Sequence, residues 1–137
     1  ICPWWDGPRT RDLVEAQLEA EAADRPARWV WIYHSPPEGT SLCWTGSRSF
    51  PDKDLARWIE RFRPDLVLCG HIHQAPYVDG GGWVARLGDT WVFNGGRQPG
   101  PVPAHIIVDT NAATAEWFGL PHRDAISLGG AGSPDDG

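Results

Sequence analysis

The chain of 137 residues carries 18 acidic and 12 basic side chains, which give it a formal net charge of −6 at pH 7. No basic stripe offsets this charge, so nonspecific binding to nucleic acid is disfavoured. No segment approaches the roughly 18 consecutive apolar residues of a membrane span, and Ile1 to Gly7 lacks the basic and apolar regions of a signal peptide. Because Cys2, Cys43 and Cys69 are scattered and odd in number, we expect reduced thiols in a cytoplasmic protein.

The first predicted helix begins after Thr10, a plausible N-cap, and ends before Pro26. The more apolar side of this helix contains Leu13, Val14, Gln17, Leu18 and Ala22. The next segment, Trp29 to Tyr33, is aromatic and β-branched, which predicts a strand. We expect the apolar side of the helix to cover the sheet that contains this strand.

His34 follows this strand directly, and Pro36 and Pro37 come next. Because prolines fix φ and lack an amide donor, the chain must leave the sheet stiffly there, and His34 is held at the strand end. The loop from Glu38 to Phe50 could shape a substrate entrance. Within it, Arg48 is a candidate phosphate contact, although a solvated surface arginine is the simpler interpretation.

A second helix is predicted from Asp52 to Arg63. Its helical spacing of apolar residues indicates core positions for Leu55, Trp58, Ile59 and Phe62. The apolar run from Leu66 to Cys69 then ends at Gly70 and predicts a fully buried strand, in which Cys69 is a packing residue rather than a ligand. The helix therefore joins two parallel strands in a strand-helix-strand unit with a right-handed crossover.

Two histidines, His71 and His73, follow the second strand at once. In α/β domains the groups that do chemistry gather at the carboxyl ends of the strands. A lone histidine on an apolar segment is more often structural than a ligand. Here His34, His71 and His73 all follow predicted strands, so we expect their ring nitrogens to converge in one small volume, as in a metal site.

The G-H-I-H of Gly70 to His73, preceded by the H-S-P-P that starts at His34, resembles the C-terminal half of the calcineurin-like metallophosphoesterases. The resemblance covers roughly residues 27–110. It implies that His34 and His71 bind one metal ion and that His73 binds its neighbour.

Three further motifs of that family are missing from this chain: D-x-H, G-D-x-x-D and G-N-H-[DE]. The pair Gly88-Asp89 lies after the G-H-I-H and is interpreted as a hairpin turn. With Ile1 first and no methionine, we expect the 137 residues to be part of a longer product. Half of the ligand set is then missing, and we expect the piece alone to be inactive.

The resemblance also implies a mechanism and its cofactors. Two divalent ions about 3.5–4 Å apart hold a hydroxide and the phosphoryl oxygens of a phosphoester substrate. Imidazole ligands suit Mn, Fe or Zn better than Mg.

After Gln74 the sequence predicts short strands separated by Gly- or Asn-containing turns, which suits an antiparallel extension that finishes one sheet. The predicted strands are Trp83 to Leu87, Thr90 to Asn94, Ala104 to Val108 and Ala115 to Phe118. Asn94 is interpreted as structural or exposed. The fold class expected from the resemblance is α/β, the C-terminal half of a four-layer α/β/β/α metallophosphoesterase sandwich. Residues 1–126 form that partial domain, and residues 127–137 a disordered tail.

Two functions of different class remain open from the sequence. The chain is either part of a metal-dependent phosphoesterase or a non-catalytic module of the same fold that acts as a binding scaffold. The reading frame upstream of Ile1 separates them, since only the enzyme needs the three missing motifs there.

Overall fold

The structure, a computed structural model, describes residues 11–129 of the chain. This part contains the helices α1 (Arg11–Ala22) and α2 (Lys53–Phe62), with short 3-10 turns at Ser41–Cys43 and Ala75–Tyr77. Its strands are β1 (Val30–Ile32), β2 (Leu66–Cys69), β3 (Val84–Leu87), β4 (Thr90–Asn94), β5 (His105–Asp109), β6 (Thr114–Gly119) and β7 (His122–Ser127). The described residues divide into two compact units, with the boundary between Gly96 and Arg97.

The first unit contains a four-stranded mixed sheet in the order β1-β2-β4-β3. Strands β1, β2 and β4 are parallel, with Ile32 opposite Leu68 and Cys69 opposite Asn94, whereas β3 pairs antiparallel with β4. The parallel β1 and β2 joined by α2 confirm the predicted strand-helix-strand unit. The expected single sheet is wrong, because β5, β6 and β7 form a separate antiparallel sheet.

Helix α2 has clear start and stop signals. The Asp52 carboxylate accepts a hydrogen bond from the Leu55 amide at 2.9 Å, which satisfies a donor that the first turn of a helix leaves free. Arg63 ends the helix in the left-handed conformation with φ 50°. The predicted core positions of this helix are all buried.

The core of the first unit lies between the two helices and the sheet. Its buried members are Val14, Trp29, Trp31, Leu42, Leu55, Trp58, Ile59, Phe62, Val67 and Val92. On α1 the buried residue is Val14, and Leu18 and Ala22 pack against the same cluster. Leu13, expected on this side, is 58% exposed, because a short helix buries a narrow stripe only. Thr10 lies outside the described residues.

The second unit contains the antiparallel sheet β5-β6-β7. Strand β7 is not among the predicted strands, since its residues are almost all exposed and lack an alternating apolar pattern. Ser127, expected to begin the tail, is the last residue of β7. The remaining tail from residue 130 onward lies outside the described residues.

Across residues 11–129 no helix has both the length and the apolar character needed to cross a membrane.

Candidate metal centre

Backbone hydrogen bonds continue the pairing of β1 and β2 beyond the strand ends. The Tyr33 amide donates to the Leu68 carbonyl at 2.9 Å, and the Gly70 amide donates to the His34 carbonyl at 3.0 Å. The residues that follow the two strands are therefore held side by side. This is the reason that His34 and His71, which are 37 positions apart in the sequence, lie together.

The imidazole rings of His34 and His71 are in direct contact. Nε2 of His34 lies 3.0 Å from Nδ1 of His71, and the ring centroids are 4.8 Å apart. A pair of nitrogen atoms at this distance either shares one proton or directs two lone pairs at one cation. Two nitrogen ligands about 2.0–2.1 Å from one zinc ion, at an angle near 90–110°, are themselves separated by about 2.8–3.4 Å. The pair therefore fits two ligands of a single first-row metal ion.

The backbone of His71 has an unusual conformation. Its φ angle is 64°, in the left-handed region that non-glycine residues seldom adopt. The next amide, that of Ile72, bonds back to the Gly70 carbonyl at 2.7 Å and closes a tight turn. Such a conformation costs on the order of 1–2 kcal/mol. It persists where the surrounding structure holds it, and residues of this kind cluster at functional sites.

His73 is two residues farther along the same loop. Its charge contributes to lowering the pKa of His34, as does the charge of His71. Among residues 11–129, however, no group of three or more His, Cys, Asp or Glu side chains is arranged to hold a metal ion. The described residues thus bring His34 and His71 together as a pair, with His73 close by, and do not by themselves complete a coordination shell.

The pKa of His34 lies below its ordinary value of 6.5, first because the ring is partly buried and then because His71 and His73 are near. The unfolded chain therefore binds the extra proton more readily than the folded chain. We expect the contribution of His34 to folding stability to be present above pH 6.5 and to be lost as the pH falls through the lowered pKa. An NMR titration of the imidazole checks this. The His71→Ala variant should raise the pKa of His34 only in part, since burial remains.

Tyr33 attaches the end of β1 to the start of α2. Its hydroxyl donates to Oδ2 of Asp52 at 3.0 Å, and burial, followed by the charge of Asp52, raises the pKa of Tyr33 to about 12. Arg11, at the start of α1, also contacts Asp52, at 3.3 Å. Asp52 therefore joins both helix starts to the strand that carries His34.

The thiols of both described cysteines donate to backbone carbonyls. The Cys69 thiol donates to the Phe93 carbonyl at 3.1 Å, and burial raises the pKa of Cys69 to about 12. The Cys43 thiol donates to the Pro37 carbonyl at 2.9 Å, and burial raises its pKa too. Cys69 also packs against the hydrophobic core of the first unit, so the structure supports the packing role expected for it.

Arg48, the predicted phosphate contact, lies in a tight turn of the loop after His34. Its guanidinium stands 4.6 Å from the centroid of the Phe50 ring, and its carbonyl accepts from the Thr45 amide at 3.1 Å. Its assignment to substrate binding stays a prediction.

The contact of Asn94 with this site was not predicted from the sequence. Asn94 ends β4, is 1% exposed, and donates through Nδ2 to the Ile72 carbonyl at 3.0 Å. It thus contacts the loop that carries His71 and His73. The sequence predicted that Asn94 lies at the carboxyl end of a strand. It did not predict that this strand, β4, pairs in parallel with β2.

No model of a known protein family matches the chain, and no curated protein matches it. One solved crystal structure superposes on 87% of this chain with a TM-score of 0.53 and 19% sequence identity. They share a fold. The crystal structure of TT1561 of Thermus thermophilus covers 86% of the chain, with a TM-score of 0.47 and 17% identity. The chain spans only 40% and 42% of the length of these two proteins.

Proposed function

We propose that this chain is the C-terminal part of a calcineurin-like metallophosphoesterase, a hydrolase that cleaves phosphoester bonds with two divalent metal ions. The observation that carries the proposal is the 3.0 Å contact between Nε2 of His34 and Nδ1 of His71. These two side chains would hold one ion, and His73 would bind its neighbour. Imidazole ligands favour Mn, Fe or Zn.

The position of the pair supports this assignment. It lies where two parallel strands end, the usual place for ligand binding in an open α/β sheet. The rings of both histidines belong to exposed residues, so a substrate and a metal ion can reach them. When bound, the metal ions would supply an activated hydroxide and stabilise charge on the phosphoryl oxygens. The contribution of the chain itself is to keep His34 neutral, which its lowered pKa favours, and to hold both rings at the distance of two ligands.

We further propose that a second sheet, from further residues of the same polypeptide, packs on the first and completes the four-layer α/β/β/α sandwich. Val30 and Ile32 are 45% and 72% exposed and point away from the core residue Trp31 between them. Exposed apolar side chains in adjacent positions of a strand face are typical of an interface. The solved structure of the same fold has more than twice the length of this chain, since the chain covers 40% of it. That additional sequence would also supply the carboxylate ligands.

Metal titration of the 137-residue chain tests the site. We expect calorimetry with Zn or Mn to show binding that the His34→Ala substitution weakens by about tenfold or more, since even groups that only support a ligand are worth 10–100-fold. His122, an exposed histidine of β7, provides the matched control, and His122→Ala should leave the affinity unchanged. Equal affinity in the wild-type chain and His34→Ala would refute ligation by His34.

Activity distinguishes the enzyme from a binding scaffold. The 137-residue chain should hydrolyse an aryl phosphate slowly or not at all. A longer product that contains the upstream motifs should hydrolyse the aryl phosphate readily in the presence of Mn. A longer product that binds metal without hydrolysing any phosphoester of a broad panel would favour the scaffold.

A further inference from the structure

The turn that follows β4 contacts each loop at the carboxyl edge of the first sheet. Nδ2 of Asn94 donates to the carbonyl of Ile72, between the two histidines, at 3.0 Å, and to the carbonyl of Leu42 at 3.5 Å. Its Oδ1 accepts from the Gly96 amide at 3.0 Å. Leu42 belongs to the 3-10 turn in the loop after His34. One buried amide therefore joins the loop after β1, the loop after β2 and its own turn.

The backbone of Gly96 also packs closely against the loop that carries His71 and His73. A Cβ atom at this position would lie 2.7 Å from Cγ of Pro76 and 3.0 Å from the carbonyl oxygen of His73. Its φ angle of 68° is in the left-handed region. The backbone of the turn is thus packed against the backbone of His73 so closely that no side chain fits between them.

We propose that Asn94 and Gly96 are positioning residues, which set the place of the loop bearing His71 and His73 relative to His34. His34 and His71 are both largely exposed, so burial of the rings does not fix the 3.0 Å contact between Nε2 of His34 and Nδ1 of His71. The residues that hold the backbone of the loop are buried instead, since Ile72 is 3% exposed and Asn94 is 1% exposed. Hydrogen bonds to buried carbonyls are costly to leave unmade, so the loop stays where Asn94 bonds it. The inference rests on the proposed metal site for its function, although the geometry that it explains exists without metal.

The first test compares Asn94→Ala with Thr90→Ala. Thr90 is the first residue of the same strand, is also 1% exposed, and donates a buried hydrogen bond to the Pro64 carbonyl at 2.6 Å. Thr90→Ala removes one buried hydrogen bond from β4, and Asn94→Ala removes the three made by its amide, of which those to Ile72 and Leu42 reach the neighbouring loops. Only Asn94 contacts the histidine loop. We expect Asn94→Ala to weaken Zn affinity by about 10–100-fold, as for other groups that orient a ligand, and Thr90→Ala to leave it unchanged.

A second readout of the same variants needs no metal. In the metal-free wild-type chain, ring centroids 4.8 Å apart should give an NOE between the His34 and His71 imidazoles. Asn94→Ala should weaken or abolish this NOE, and Thr90→Ala should preserve it. A preserved NOE in folded Asn94→Ala would overturn the positioning role. Absence of metal binding in the wild-type chain would instead count against the proposed function and leave the NOE comparison intact.

The second test uses glycines and breaks no hydrogen bond. Gly88, in the turn between β3 and β4, has φ 60°, and a Cβ there would meet nothing within 4 Å. Gly88→Ala and Gly96→Ala therefore carry a similar backbone cost, but only Gly96→Ala crowds Pro76 and His73. We expect the inter-ring NOE and the Zn affinity to change in Gly96→Ala alone. If Asn94→Ala fails to fold, the comparison of Gly88→Ala with Gly96→Ala tests the proposal instead. The same inter-ring NOE and the same Zn affinity in both glycine variants would refute it.

Discussion

The His71→Gly substitution should abolish metal binding and at the same time stabilise the metal-free chain. Glycine adopts the φ of 64° found at this position without the steric cost that histidine bears there. Relief of about 1–2 kcal/mol of strain, partly offset by the greater freedom of glycine in the unfolded chain, leaves a gain of about 0.5–1 kcal/mol. Metal affinity should fall more than about 100-fold, above the range for groups that only support ligands. Urea unfolding and calorimetry measure the two effects separately.

Arg63 provides the control for this prediction. It too has a left-handed backbone, with φ 50°, but it ends α2. Arg63→Gly should stabilise the chain by a similar amount and leave the metal affinity as it is. If His71→Gly binds metal as tightly as the wild-type chain, His71 is no ligand, and its conformation needs another explanation.

Trp58→Ala should cost about 3–5 kcal/mol of unfolding free energy, as large aromatic truncations in cores do. Trp58 is 1% exposed, meets the Tyr33 ring edge-on with centroids 6.3 Å apart, and donates through Nε1 to Glu15 at 3.2 Å. Small domains have only about 5–15 kcal/mol in total, so this loss should remove a large share of the stability of the chain. The midpoint of urea unfolding, followed by circular dichroism, measures the loss.

Leu13→Ala is the matched control on the facing helix. Leu13 is 58% exposed, so its truncation should change stability by no more than about 0.5 kcal/mol. A loss below about 1 kcal/mol for Trp58→Ala would mean that α2 is not the main support of the sheet. Strand β1, which ends at Ile32, would then need other residues to hold it.

The predicted elements differ in how well the sequence could specify them. Helix α2 was predicted from Asp52 to Arg63, and the structure has Lys53–Phe62 with those two residues as its caps. The agreement is close because apolar spacing, capping side chain and termination are all local signals. Strand β2 matched at both ends for the same reason, since its apolar run stands between a Pro-Asp pair and a glycine.

The strands that follow His73 show what local sequence signals do not specify. Their hairpin turns were visible, and β3 and β4 do pair antiparallel. Which strand of a hairpin then lies beside β2 depends on the packing of the whole sheet, and it is β4, in parallel. For that reason the contact of Asn94 with the loop between the histidines could not be inferred from spacing.

By itself the sequence determined the two strand ends that carry His34 and His71, because buried apolar runs and the residues that break them are read within a few positions. The folded structure alone shows that Nε2 of His34 and Nδ1 of His71 lie 3.0 Å apart, that the backbone of His71 is left-handed and that Asn94 bonds the loop between the histidines. The contact between the two histidines and the contact of Asn94 with Ile72 join residues more than 20 positions apart. Side-chain identity alone cannot specify them, since the same residues in another strand order would not meet.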